Sequence, residues 1–109
     1  DLNMLGMGGD GHTASIFLTN MDELLTDKRI CAVATHPESG QKRVTMTGPV
    51  LNASEEVAFL ITGNSKTQRT AQILNNEHGA ENFPVAHIKP TSGKLFWFLD
   101  LAAADEVGY

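Results

Sequence analysis

Cysteine is all but absent from this chain: Cys31 is the only one in 109 residues, so no disulfide can form within it. Cys31 lies in the apolar stretch 30–34 and is expected to be a small core residue. Basic residues are scarce too, with 8 Lys and Arg against 13 Asp and Glu and a net charge of −5. That balance excludes the basic surface that nucleic-acid binding demands. No apolar run approaches the roughly eighteen residues of a membrane span, and there is no repeat and no low-complexity tract. His36, His78 and His87 have no Cys, His or Asp partner at metal-ligand spacing, which argues against a zinc hydrolase. Ser15 does not sit in a G-x-S-x-G elbow, which argues against a serine hydrolase. The features that remain fit a soluble intracellular chain, expected in the cytoplasm, whose length suits one domain or a part of one.

What is present is concentrated near the start. Positions 6–15 hold four glycines (Gly6, Gly8, Gly9, Gly11), the Asp10 carboxylate, the His12 imidazole and the hydroxyls of Thr13 and Ser15. The segment 2–5 before them reads as a short buried strand, and 13–18 after them reads as the start of a helix. A strand that breaks into glycines and then opens a helix places backbone N–H groups at the carboxyl end of a sheet, where open α/β sheets bind ligands. Glycine tolerates the positive φ and the close approach that such a turn needs.

Two plainer readings compete with a catalytic turn. Gly6, Gly8 and Gly11 match G-x-G-x-x-G, the dinucleotide-binding pattern. That fold also needs an acidic residue about twenty positions on, at the end of a second strand. Asp22, Glu23 and Asp27 precede the next strand-like run instead. The other reading is a glycine-rich turn in which Asp10 caps the helix and His12 is simply exposed.

Further along, 57–62 is almost continuously apolar, as in a strand covered on both faces. Gly63, Asn64 and Ser65 then open a helix to Leu74, with Ser65 as N-cap and His78–Gly79 closing it. The stretches 84–88 and 95–99 read as two short closing strands. Strands alternating with helices indicate an α/β fold with a largely parallel sheet.

The residues Leu5-Gly6-Met7-Gly8-Gly9-Asp10-Gly11-His12-Thr13-Ala14-Ser15 resemble the L-G-x-G-x-D-G-H-T-A-S signature of the 6-phosphogluconolactonases. The likeness continues through the segment from Arg43 to Asn52, the apolar strand ending in Gly63-Asn64-Ser65-Lys66, and the closing strands at 84–88 and 95–100. It therefore covers nearly the whole chain in order. The resemblance implies a doubly wound, mainly parallel sheet with flanking helices, of the sugar-phosphate isomerase and deaminase type. Members of that family carry an additional N-terminal half with a phosphate loop and an arginine. The chain begins at Asp1, so it is expected to be a single domain over 1–109 or the carboxyl-terminal fragment of a longer one.

The resemblance also implies an activity: hydrolysis of the δ-lactone of 6-phosphogluconate, with no metal or organic cofactor. His12 suits a general base on water, because imidazole accepts a proton near neutral pH. Asp10 would orient it. Backbone N–H groups around Gly8, Gly9 and Gly11 would hold the oxyanion, and Lys66, at a helix start, would bind the phosphate. Arg43 is open as an anion contact or a strand-edge charge, and Asn52 as a ligand of substrate hydroxyls or a turn cap. Glucosamine-6-phosphate deaminases share a similar turn, but there the histidine is followed by a pattern resembling I-A-F-N-E-P rather than Thr13-Ala14-Ser15-Ile16-Phe17. A fragment that only binds sugar phosphates is the remaining alternative. A half-sheet would leave an edge and an apolar face uncovered, so a homo-oligomer through that edge is expected.

Overall fold

The computed structural model describes residues 1–107. Three strands, β1 (Leu2–Leu5), β4 (Glu56–Ile61) and β5 (Lys94–Leu99), form one parallel sheet in the order β1-β4-β5. Two more, β2 (Cys31–Thr35) and β3 (Lys42–Met46), pair antiparallel as a separate hairpin. Short helices fill the connections: α1 (Met21–Leu24), α2 (Gly48–Asn52), α3 (Thr67–Leu74) and α4 (Leu101–Ala104). The α/β class and the parallel sheet follow the expectation from the sequence.

The core lies on one face of that sheet. Along β4, Val57, Phe59 and Ile61 are buried at 2% exposure or less, and Phe59 stacks on Trp97, its register partner in β5, with ring centroids 4.5 Å apart. Burying one such aromatic contributes about 2–3 kcal/mol. The opposite face is open, as expected of a half-sheet, and this corrects the reading of 57–62 as a strand covered on both faces. Met4 is 63% exposed, Leu60 46% and Phe98 56%, because none of the described helices packs over them.

Local corrections have identifiable causes. Residues 13–18 do not start a helix. The Ile16 N–H donates to the Thr13 carbonyl at 2.9 Å and Ala14 sits at φ 50°, closing a tight turn. The Asn20 side chain then accepts from Phe17 N–H at 2.7 Å and donates to the Ser15 carbonyl at 3.3 Å, taking groups a helix would use. Ser65 is no N-cap: Asn64–Lys66 forms a 3-10 turn ahead of α3, and no side chain caps either start. The helix ends at Leu74, before His78, where Asn76 adopts φ 51°. Gly79 instead precedes a 3-10 turn at Ala80–Asn82.

The stretch 84–88 is not a strand. Pro84–His87 is a 3-10 turn, begun by a proline that lacks the N–H a ladder needs. Cys31 is exposed rather than in the core, because strand alternation sends Ala32 and Ala34 inward and Cys31 and Val33 out.

Candidate active site

Because β1, β4 and β5 run parallel, their carboxyl ends lie at one edge of the sheet. Three junctions meet there: the glycine turn after Leu5, the 3-10 turn after Gly63, and the start of α4 at Asp100. Asp100 ties the last two together, accepting from Gly63 N–H at 3.0 Å and from Ala103 N–H at 2.8 Å.

The glycine turn is closed by its own backbone. Gly8 N–H donates to the His12 carbonyl and Gly11 N–H to the Gly8 carbonyl, each at 2.9 Å. Thr13 Oγ1 donates to the Gly6 carbonyl at 2.8 Å, and Ser15 N–H donates to Thr45 Oγ1 at 3.0 Å, anchoring the turn's exit to the hairpin. Two glycines are required by contact. A Cβ on Gly8 would lie 2.2 Å from the His12 ring and 2.7 Å from Asp10 Oδ1. Gly11 adopts φ 85°, and a Cβ there would lie 2.8 Å from Phe83. Since Gly8 and Gly11 spend their N–H groups inside the turn, Gly9 is the one of the three expected oxyanion donors whose N–H has no acceptor among the described residues.

This packing brings Asp10 and His12 together. Asp10 Oδ1 lies 2.5 Å from His12 Nδ1 and also accepts from the His12 backbone N–H at 3.2 Å. Asp10 therefore does not cap a helix. Partial burial pushes its carboxyl up, but the hydrogen bonds and charge of His12 outweigh that and hold it below the ordinary carboxylate value. An ionised Asp10 accepts from Nδ1–H, which fixes the tautomer and leaves Nε2 as the basic nitrogen. The other side of the ring packs on buried Phe17, centroids 4.6 Å apart, and Phe17 in turn meets His36 edge-on at 5.0 Å. His12 borders an open cleft of about 360 Å³, which runs along Met4 to Gly8 and past Thr13 and Ala14.

Lys66 also reaches the turn, its ammonium donating to the Met7 carbonyl. Gly9 sits against the start of the same helical segment, where an added Cβ would lie 3.8 Å from the Ser65 carbonyl. The remaining expected residues lie farther out. Arg43 is half-buried on the inner face of the hairpin, two positions from Thr45, with Nε donating to Gln41 Oε1 at 3.0 Å. Asn52 uses both ends of its amide on backbone, donating to His87 O at 3.1 Å and accepting from Lys89 N–H at 2.7 Å, so it fastens α2 to that segment. Arg69 and Phe83 flank the turn without belonging to any motif. The signal for Arg69 is its spacing: three residues after Lys66, it lies on the same helical side.

Fold and site together define an α/β protein with an acid–base pair and an ammonium gathered at the carboxyl edge of a parallel sheet. The family model described as "Glucosamine-6-phosphate isomerases/6-phosphogluconolactonase" matches residues 1–97, and the chain belongs to that family. The 6-phosphogluconolactonase of Homo sapiens is 42% identical over 105 residues, covering 95% of this chain and 40% of the human protein. A devB protein of known crystal structure superposes with a TM-score of 0.89 at 41% identity, over 99% of this chain and 44% of that one. The 6-phosphogluconolactonase from Trypanosoma brucei superposes with a TM-score of 0.80 at 29% identity, over 99% of this chain and 42% of that one. The chain thus spans well under half the length of the relatives it matches. Among the described residues, no helix is long and apolar enough to cross a membrane.

Proposed function

We propose that this chain carries the hydrolytic site of a 6-phosphogluconolactonase, opening 6-phospho-D-glucono-1,5-lactone to 6-phosphogluconate in the cytoplasm, within the oxidative pentose phosphate pathway. The observation that carries this reading is the Asp10–His12 pair, 2.5 Å apart at the sheet's carboxyl edge, in a chain 42% identical to a lactonase. His12 Nε2 takes a proton from water as the water oxygen attacks the lactone carbonyl. The resulting tetrahedral oxyanion is met by Gly9 N–H, a contribution of about 3 kcal/mol for one well-aimed donor. The intermediate collapses with cleavage of the bond to the ring oxygen, which takes the proton back from His12. Asp10 stays ionised and steadies the imidazolium in between.

Lys66 supplies charge for the phosphate. An ammonium has three N–H donors, and the Met7 carbonyl takes one of them. Arg43, on the inner face of the hairpin, is the second cation available to an anionic substrate. The test is hydrolysis of freshly generated 6-phosphogluconolactone by the chain, with the spontaneous rate subtracted and His12→Ala alongside. A rate above the spontaneous one that the variant loses is expected. A wild-type rate no faster than the spontaneous one, or a variant as fast as wild type, overturns the proposal.

A further inference from the structure

Among the described residues Arg69 makes three contacts, and two of them bear on the glycine turn. Its Nε donates to the Gly9 carbonyl at 3.1 Å, and its guanidinium carbon lies 4.0 Å from the centroid of the Phe83 ring. A terminal nitrogen donates to Gln72 Oε1 at 2.5 Å, one turn along the same helix. Phe83 also presses on the turn, at the place where Gly11 has no room for a Cβ. The chain just beyond Phe83 adds a backbone bond, Val85 N–H to the Gly11 carbonyl at 3.1 Å. Gly9 and Gly11 flank Asp10, so the turn is gripped immediately before and immediately after its carboxylate.

We infer that Arg69, seated on Phe83, is a positioning residue that clamps the Gly9–Gly11 turn and thereby sets the Asp10–His12 geometry. The fork of a guanidinium suits the task, because it stacks its plane on an aromatic face while its edge donates in fixed directions. Lysine offers the charge without the plane or the fork. The clamp is also rooted in a rigid element: Thr70 and Ala71, the next two residues of α3, are buried against the core. Arg69 reaches the reacting atoms only through Gly9. Its consequence for catalysis rests on the lactonase reading, whereas the clamp itself is a property of the folded chain.

Amide hydrogen exchange and side-chain carboxyl titration by NMR test the clamp without requiring turnover. In Arg69→Lys and in Phe83→Ala, exchange at Gly8 and Gly11 N–H, the two bonds that close the turn, is expected to quicken about 10-fold or more. Exchange at Val57 and Phe59 in β4 should stay unchanged. The Asp10 carboxyl should move up toward the ordinary carboxylate value in both variants, although neither changes the charge. Where lactone hydrolysis is measurable, kcat falls several-fold with KM nearly constant.

Arg69→Lys with wild-type exchange and wild-type Asp10 titration overturns the clamp, since charge alone would then suffice. If Phe83→Ala quickens β4 as well, Arg69→Met decides in its place, keeping the stem but not the fork. An inactive wild type overturns the lactonase reading and leaves the exchange result to judge the clamp by itself.

Discussion

Asp10 Oδ1 and His12 Nδ1 face each other at 2.5 Å across a single glycine, so the imidazole is oriented by a residue two positions away rather than by a distant strand. Removing the proposed base, His12→Ala, is expected to lower the corrected lactone hydrolysis rate by about 10²–10⁴-fold, the usual range for general base catalysis. Asp10→Asn keeps the shape but places an amide where the carboxylate was. An amide N–H pointed at Nδ1 favours the wrong tautomer, with the proton on Nε2. A loss of at least about 10-fold in kcat is expected. Steady-state kinetics decide the matter, and Asn at position 10 with wild-type kcat would refute the assignment.

Gly8 and Gly6 should answer differently to the same substitution. A methyl group on Gly8 lands 2.2 Å from the His12 ring, whereas one on Gly6 meets nothing within 4 Å. The ring and Asp10 must shift to admit the former, and a displacement of about 1 Å at a reacting group costs on the order of 10²-fold in rate. Gly8→Ala is therefore expected to lose most of its kcat, and Gly6→Ala to keep it. Gly8→Ala with unimpaired turnover would show that the packing of the turn does not hold the ring.

The Asp10 carboxyl titrates below the ordinary value in the folded chain, so its link to stability has a defined sign. A depressed carboxyl adds stability above its unfolded pKa of about 3.9 and loses it as pH falls through the lower, folded value. The pair is partly exposed, so the contribution is at most about 1 kcal/mol. Thermal melts of wild type and Asp10→Asn should differ by a constant amount above about pH 5 and converge below about pH 4. A gap that widened as the pH fell would contradict the ionised pair.

Much of this arrangement is legible in the sequence, for physical reasons. β1, β4 and the core of β5 announce themselves as apolar runs stopped by Gly6, by Gly63 and by Asp100. Asp10, His12 and Lys66 stand beside those stops, where parallel strands must end together. The turn at 13–20 is not legible, because the Asn20 side chain replaces helical backbone bonds from several residues away. Asn52 is ambiguous in sequence for a related reason, its partners His87 and Lys89 lying more than thirty positions off. Arg69 and Phe83 have ordinary identities and acquire meaning only when α3 and the 80–89 segment fold against the turn.

The open sheet face carries the last prediction. Leu2, Met4, Leu60, Phe96 and Phe98 are all at least 39% exposed and line a single shallow cleft with Ala58, and β1 leaves one edge of the sheet unpaired. Parallel sheets are found with both faces covered, and an apolar patch of this kind draws a partner. The occupant available to this chain alone is a second copy, whose identical face offers the same apolar side chains in a two-fold arrangement. Size-exclusion chromatography with light scattering is expected to show a dimer or larger species. Leu60→Glu combined with Phe98→Glu should return it to monomer with its far-UV spectrum retained. A wild-type chain that elutes as a monomer at tens of micromolar, about the range for a weak interface, would rule out association through this face.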